Sequence, residues 1–203
     1  MTLRIAFDID DTLLDWRGAF RDWMIDTGHP SAISADDFAE ATFKQAWPNI
    51  PGAHLRDFGE RFNSSPEFMN LRVLPGVIET LRAVRAARNT CLAISAPGTH
   101  PAATAARHAQ IDVLGFTERV LLPYQADKAG AVLQVRADVL VDDNPSTLLA
   151  ARERGIPIIV KDLPSNRSID APRILTWTPK VFAATLHEAL AASKSRTSRG
   201  QER

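Results

Sequence analysis

Short apolar segments alternate with amphipathic segments through most of this 203-residue sequence, and no other feature limits its fold as strongly. The apolar segments carry hydrophobic side chains at successive positions and include β-branched residues, which is typical of strands buried on both faces. Helical patterns between such strands predict an α/β fold, with a parallel sheet covered by helices on both faces. The predicted strands are Arg4–Phe7, Thr90–Ile94, Val120–Leu122, Val139–Val141, Ile156–Val160 and, more weakly, Arg173–Trp177.

Two segments between these strands show the helical pattern most clearly. In Gly76–Arg88, apolar residues recur on one helical face and arginines lie outside it. A second helix is predicted over Ser146–Arg154, and Gly155 follows it, where a left-handed residue would end the helix. We assign residues 1–14 and 73–190 to the sheet domain.

Residues 15–72 interrupt the alternation, because they contain helical patterns and no convincing strand. Three of the four Trp and six of the nine Phe residues fall in this segment. We therefore predict a helical insert between the first strand and the rest of the sheet. Its candidate helices are Asp15–Ile25, Ser34–Ala46 and Leu55–Asn63.

The final segment, residues 191–203, is polar and basic, and a disordered tail is predicted there. It holds four of the 24 basic residues and one of the 24 acidic residues, so residues 1–190 carry a net charge of about −3. Sequence-independent binding of nucleic acid needs a basic face, so we do not expect a nucleic-acid partner.

Cys91 is the single cysteine, which excludes an internal disulfide and a cysteine-rich zinc site. It lies in an apolar strand and is expected to be a small core residue. The sequence shows neither a signal peptide nor an apolar stretch of about 18 residues, the length that a membrane span needs. These patterns predict a cytoplasmic protein without membrane association.

Acidic residues follow the first predicted strand directly. Side chains alternate along an extended chain, so Asp8 and Asp10 can face one site while Ile9 packs away from it. Ligands bind beyond the carboxyl ends of strands in open parallel sheets, and a divalent cation would relieve the repulsion between two carboxylates. Taken alone, the same residues fit a polar turn or a helix cap equally well.

Three further predicted strands are followed by polar groups at the same edge of the sheet. Asp142 and Asp143 follow one strand, Ser95 ends another, and Lys128 begins a helix after a third. Carboxylates suit Mg²⁺, whereas a hydroxyl and a cation at a helix start suit phosphoryl oxygens. The combination favours a site for phosphate and Mg²⁺ over four unrelated turns.

In this order and spacing, the motifs resemble those of the haloacid dehalogenase superfamily. The resemblance extends from Leu3 to about Val160 and implies a Rossmann-like core with a small helical cap at residues 15–72. The matching motifs are Asp8-Ile9-Asp10-Asp11-Thr12, Leu92-Ala93-Ile94-Ser95, Lys128 and Asp142-Asp143.

The resemblance implies a Mg²⁺-dependent phosphatase with defined catalytic residues. Asp8 would attack phosphorus and form an aspartyl-phosphate, and Asp10 would serve as acid and then as base. Ser95 and Lys128 would balance charge in the transition state. The dehalogenases lack an acid at the position of Asp10, so ester hydrolysis is the better interpretation.

The resemblance also implies ligands for the metal and the substrate. Mg²⁺ would be held by Asp8, the backbone carbonyl of Asp10 and Asp143, while Asp142 would act indirectly or through a water. Residues expected to bind phosphate or substrate are Ile9, Thr12, Ser95, Ala96, Lys128 and Trp16.

Within the superfamily, the sequence is most similar to the 5′(3′)-deoxyribonucleotidases. Shared features are the size of the cap, the turn Leu74-Pro75-Gly76 and the continuation of the acid pair into Asn144-Pro145. Asp11 is a departure, since these nucleotidases usually have Gly there. The resemblance implies a small phosphorylated substrate, specifically a nucleotide, and is compatible with a monomer or a homodimer.

Trp16 lies eight residues after Asp8, where such nucleotidases place a ring near the base. Its helical spacing to Phe20 and Trp23 also fits simple packing of the cap. Two other functions stay open. One is hydrolysis of a sugar phosphate or another small phosphomonoester, and the other is a non-catalytic binding protein that kept the fold.

Overall fold

The computed structural model describes residues 2–124 and 126–200, with residues 194–200 described by their backbone alone. Six parallel strands form one sheet in the order β3-β2-β1-β4-β5-β6. The predicted α/β fold is thereby confirmed. The strands are β1 Arg4–Phe7, β2 Thr90–Ser95, β3 Glu118–Leu121, β4 Val139–Asp142, β5 Ile158–Lys161 and β6 Arg173–Ile174.

The weakest predicted strand, Arg173–Trp177, is shortened to two residues. The chain leaves the sheet after Ile174, and the Trp177 ring lies beside Phe7 of β1. There its indole N–H donates to the Thr12 carbonyl at 3.0 Å, and its ring packs on Phe182.

In the part of the chain that the structure describes, five helices cover the sheet domain. The turn before the first of them needs glycine, since Gly76 has φ +79° and a Cβ there would lie 1.9 Å from the Trp177 carbonyl oxygen. Gly155 adopts φ +78° and ends its helix as predicted. The helices are α5 Val77–Ala86, α6 Pro101–Val113, α7 Lys128–Gln134, α8 Pro145–Glu153 and α9 Pro179–Gly200.

The sheet separates two apolar cores, because successive strand side chains point to opposite faces. Phe7 packs on one face with Leu81 of α5 and Phe182 of α9. Ala6 packs on the other face with Val132 of α7 and Leu148 of α8. The four central strands β2, β1, β4 and β5 are therefore buried on both sides, which accounts for their continuous apolar runs in the sequence.

The helical insert contains four helices and no strand. Its helices are α1 Trp16–Asp26, α2 Phe43–Ala46, α3 Gly52–Asn63 and α4 Pro66–Met69. The single helix predicted over Ser34–Ala46 was wrong: a 3-10 turn at Phe38–Glu40 is followed by extended backbone at Ala41 and Thr42. Thr42 then starts α2 through a reciprocal capping box with Gln45, which requires that extended conformation.

The last helix, α9, extends over residues 191–200, which belong to the segment 191–203 for which the sequence predicts a disordered tail. Phe182, Leu186 and Ala189 anchor the helix in the core, and the following alanines have high helix propensity. Residues 201–203 lie outside the described part of the chain. None of the helices in that part is both long enough and apolar enough to cross a membrane.

Candidate active site

The loop after β1 brings the first acidic residues to the sheet edge. The Asp8 backbone N–H donates to the Val141 carbonyl at 2.9 Å, so the loop starts in line with β4. The chain then reverses at Asp11, whose φ of +56° is the left-handed conformation that glycine adopts easily. Ile9 is fully buried and packs away from the acids as the side-chain alternation predicts.

Lys128 is paired with two of the carboxylates. Its Nζ lies 2.7 Å from Oδ1 of Asp8 and 3.2 Å from Oδ2 of Asp142, and all three side chains are nearly or fully buried. Burial favours the neutral amine, but the carboxylates of Asp142 and Asp8 outweigh it and raise the pKa of Lys128. The lysine therefore remains charged beside Asp8.

A third carboxylate completes a cluster of acids. Oxygen atoms of Asp8, Asp142 and Asp143 lie within 4.8 Å of one another. Burial raises the pKa of Asp142 to about 6, with Lys128 opposing it, and burial together with the Asp8 charge raises the pKa of Asp143. Such an all-oxygen donor set fits a hard divalent cation such as Mg²⁺, which would relieve this repulsion.

The two acids after β4 differ in the hydrogen bonds that they already accept. Asp142 accepts from Lys128 on one oxygen and from the Asn144 backbone N–H, at 2.7 Å, on the other. Asp143 accepts one hydrogen bond, from the Thr12 hydroxyl at 3.2 Å. Asp143 is therefore the more available metal ligand of the two.

Ser95 lies at the end of β2, beside the loop that carries Asp8. The strand pairing sets Ala93 opposite Phe7, which brings Ser95 to the same edge of the sheet. Its hydroxyl is buried and has no hydrogen-bond partner within the described part of the chain. Ala96, which follows, is partly buried. A buried hydroxyl without a partner is available to a phosphoryl oxygen.

Trp16 occupies the aromatic cluster of the insert. Its ring stacks on Phe20 with centroids 4.8 Å apart and meets the edge of Phe62. Its indole N–H donates to Oδ1 of Asn63 at 2.8 Å. These contacts support packing of the insert as one role of the ring, and stacking on a nucleobase stays a prediction.

Sequence reasoning missed Arg107, which the structure places beside Asp10. Its Nη2 lies 2.5 Å from Oδ1 of Asp10, and its side chain is fully buried. Burial raises the pKa of Asp10 although Arg107 opposes the shift. One signal was present: Arg107 interrupts the apolar buried face of α6 that Ala103 and Ile111 form.

An open cleft of about 910 Å³ lies between α3 of the insert and the loops that follow β2 and β3. It begins beside Ala96, because Pro97 and Gly98 form part of its wall. The remaining lining residues are Trp23, Asp57, Glu60, Arg61, Ser64, Thr99, His100, Pro123 and Tyr124. The cleft is large enough to hold the organic part of a small substrate.

Comparison with protein families identifies the chain. Residues 2–185 match the model of the family described as 5′ nucleotidase, deoxy (pyrimidine), cytosolic type C protein. The chain belongs to this nucleotidase family. Among curated proteins, none matches it.

Solved structures similar to this nucleotidase-family chain share its fold at low sequence identity. A haloacid dehalogenase family hydrolase from Deinococcus radiodurans R1, solved with phosphate and sodium, has a TM-score of 0.57 and 19% identity, over 93% of this chain and 96% of that chain. A haloacid dehalogenase superfamily hydrolase from Geobacter sulfurreducens PCA has a TM-score of 0.56 and 12% identity, over 91% of this chain and 100% of that chain. A haloacid dehalogenase-like hydrolase from Streptococcus pneumoniae has a TM-score of 0.54 and 18% identity, over 79% and 85%. These likenesses show that the nucleotidase-family chain has the haloacid dehalogenase fold.

Proposed function

We propose that this protein is a Mg²⁺-dependent, cytoplasmic phosphatase that hydrolyses a nucleoside monophosphate, in the manner of a 5′(3′)-deoxyribonucleotidase. The observation that carries the chemistry is the pairing of Lys128 with Asp8 inside the carboxylate cluster. The match to the nucleotidase family supports the nucleotide as substrate.

In the proposed reaction, a carboxylate oxygen of Asp8 attacks phosphorus. The bond from phosphorus to the ester oxygen breaks, and Asp10 gives its proton to that oxygen. Asp10 then takes a proton from water, which attacks the same phosphorus and releases Asp8 with inorganic phosphate. Splitting the hydrolysis in this way replaces one difficult step with two easier ones.

The other residues hold the phosphoryl group and balance its charge. Lys128 and the Ser95 hydroxyl would bind phosphoryl oxygens at the carboxyl edge of the sheet. Thr12 would orient Asp143 through its hydrogen bond. Asp8, Asp143 and the Asp10 carbonyl would hold Mg²⁺, with Asp142 acting indirectly. When bound, the ion supplies positive charge that offsets the negative charge of the phosphoryl group.

Selectivity would come from the insert, residues 15–72, acting as a cap over a core of residues 1–14 and 73–190. The core supplies groups for the phosphate alone, so the rest of the substrate must be recognised in the cleft between core and insert. The aromatic side chains of the insert suit a planar base.

A substrate panel tests this proposal. We expect Mg²⁺-dependent hydrolysis, with kcat/KM higher for a deoxynucleoside monophosphate than for sugar phosphates or a small aryl phosphate. Preference for a sugar phosphate would contradict the nucleotide as substrate, while the proposed phosphatase activity would still stand. Absence of hydrolysis across the panel would favour a non-catalytic binding protein.

A further inference from the structure

Arg107 is a fully buried cation in the middle of α6. Its ion pair is with Asp10, through Nη2, and its guanidinium lies over the ring of Phe68 at 4.9 Å. Nε and Nη1 are buried without hydrogen-bond partners in the described part of the chain. Phe68 belongs to α4 of the insert, so Arg107 contacts both the acid of the core and the insert.

Burial of this arginine is unfavourable for stability alone. A buried ion pair gains little over a well-packed apolar pair, and two donors without partners add to the desolvation penalty. An apolar residue on this face of α6 would continue the core that Ala103 and Ile111 form. The arginine is therefore better explained by what it does to Asp10.

We propose that Arg107 is a positioning residue that fixes the carboxylate of Asp10 for proton transfer to the leaving group. This inference rests on the proposed phosphatase mechanism, in which Asp10 is the acid and base. Arg107 engages Oδ1 of Asp10, so the second carboxylate oxygen would be the one that carries the proton to the leaving group. A guanidinium anchored in a helix removes rotational freedom from the acid before substrate arrives.

The insert takes part in this positioning through α4. The Gln110 side-chain amide donates to the Phe68 carbonyl, and the Phe68 ring lies against Arg107. Gln110 lies one turn after Arg107 on α6, so two side chains of one helix hold Phe68. Through Phe68, α4 of the insert therefore contacts Arg107, the residue that orients Asp10.

The test compares R107M with wild type on two artificial esters. A dinitrophenyl phosphate has a leaving group that departs without protonation, whereas an alkyl phosphate needs the acid. Because kcat/KM reports steps up to departure of the leaving group, R107M should lower it about a hundredfold for the alkyl phosphate. For the dinitrophenyl phosphate we expect a change of less than about threefold. Equal losses on both esters would overturn the proposal.

A double-mutant cycle with D10N separates positioning from structural damage. In the D10N background, R107M should change kcat/KM for the alkyl phosphate less than about twofold, since its effect passes through Asp10. Retention of the full R107M loss in that background would overturn the proposal. If R107M does not fold, R107K keeps the buried charge without the planar fork, and the same selectivity for the alkyl ester is expected.

These esters separate the inference from the proposed function. Neither contains a nucleoside, so a physiological substrate other than a nucleotide would leave the comparison valid. Failure of the phosphatase mechanism itself would appear instead as normal turnover by D8N. That measurement does not involve any change at Arg107.

Discussion

The indole N–H of Trp16 donates to the side-chain oxygen of Asn63 at 2.8 Å, which joins the first helix of the insert to the end of the third. Asn63 also donates to the Pro97 carbonyl at 3.4 Å, in the loop that follows Ser95. Trp16 is thus linked through the side-chain amide of Asn63 to the loop that follows Ser95. Changes at Trp16 test both recognition and packing.

Replacing Trp16 with Ala should raise KM for a deoxynucleotide about tenfold or more, because one base–ring stack contributes roughly 1–3 kcal/mol. KM for a small aryl phosphate should hardly change. Trp16→Phe is the matched control, since it keeps a ring and removes the hydrogen bond to Asn63. Steady-state kinetics on both substrates decide between the roles: equal losses would indicate damage to the aromatic cluster instead of lost stacking.

Asp8→Asn should abolish turnover, because an amide cannot serve as the nucleophile. The fold should survive, since the substitution preserves the shape of the side chain. Wild type should bind beryllofluoride at Asp8 as a mimic of the aspartyl-phosphate, and the variant should not. Circular dichroism and turnover measured on one preparation test this, and near-normal activity of the variant would rule out the covalent mechanism.

Chelation with EDTA should remove activity, and added Mg²⁺ should restore it. Asp143→Asn should weaken metal binding more than Asp142→Asn, because Lys128 and the Asn144 N–H already occupy both oxygens of Asp142. Calorimetric titration of each purified variant with Mg²⁺ measures the difference. The reverse order of affinities would show that Asp142 is the direct ligand.

Asp11 should make the metal-free protein less stable as pH rises. Burial raises its pKa from 3.8 to about 8, although the hydrogen bond from the Arg17 N–H opposes the shift. The folded state therefore holds a proton that the unfolded state releases above pH 4, and stability falls between about pH 4 and pH 8. Asp11→Asn keeps an acceptor for Arg17 and should reduce this fall.

Urea unfolding in EDTA at several pH values measures the effect. The Asn variant should be more stable than wild type at pH 8 and should show a flatter pH dependence. Asp36→Asn, at an exposed position of the insert, is the control and should leave the profile unchanged. A profile for Asp11→Asn that parallels wild type would contradict the raised pKa of this acid.

Cys91 should react with thiol reagents after unfolding and hardly at all before it. Burial raises the pKa of its thiol to about 11, with Arg85 opposing the shift, so little thiolate forms at pH 8. The native reaction should be slower than that of the unfolded chain on the order of a hundredfold. Colorimetric titration with and without denaturant gives both rates, and a fast native reaction would mean that β2 opens.

Local patterns predicted the features that depend on neighbouring residues. The strands β1, β2 and β4 were located within one residue of their ends, because buried parallel strands require continuous apolar runs. Lys128 was predicted at a helix start and begins α7. The division of one long predicted helix near Thr42 was missed, since a capping box among polar residues competes with helical spacing.

The sequence by itself determined the α/β architecture, the helical insert and the acids that follow β1 and β4, because each depends on side chains that lie only a few positions apart. The tertiary structure alone decided the strand order and the pairing of Arg107 with Asp10, which lie 97 positions apart. It also decided that Trp16 packs in the aromatic cluster. Contacts at such separations depend on how helices pack on the sheet, and no local periodicity records which buried polar group meets which.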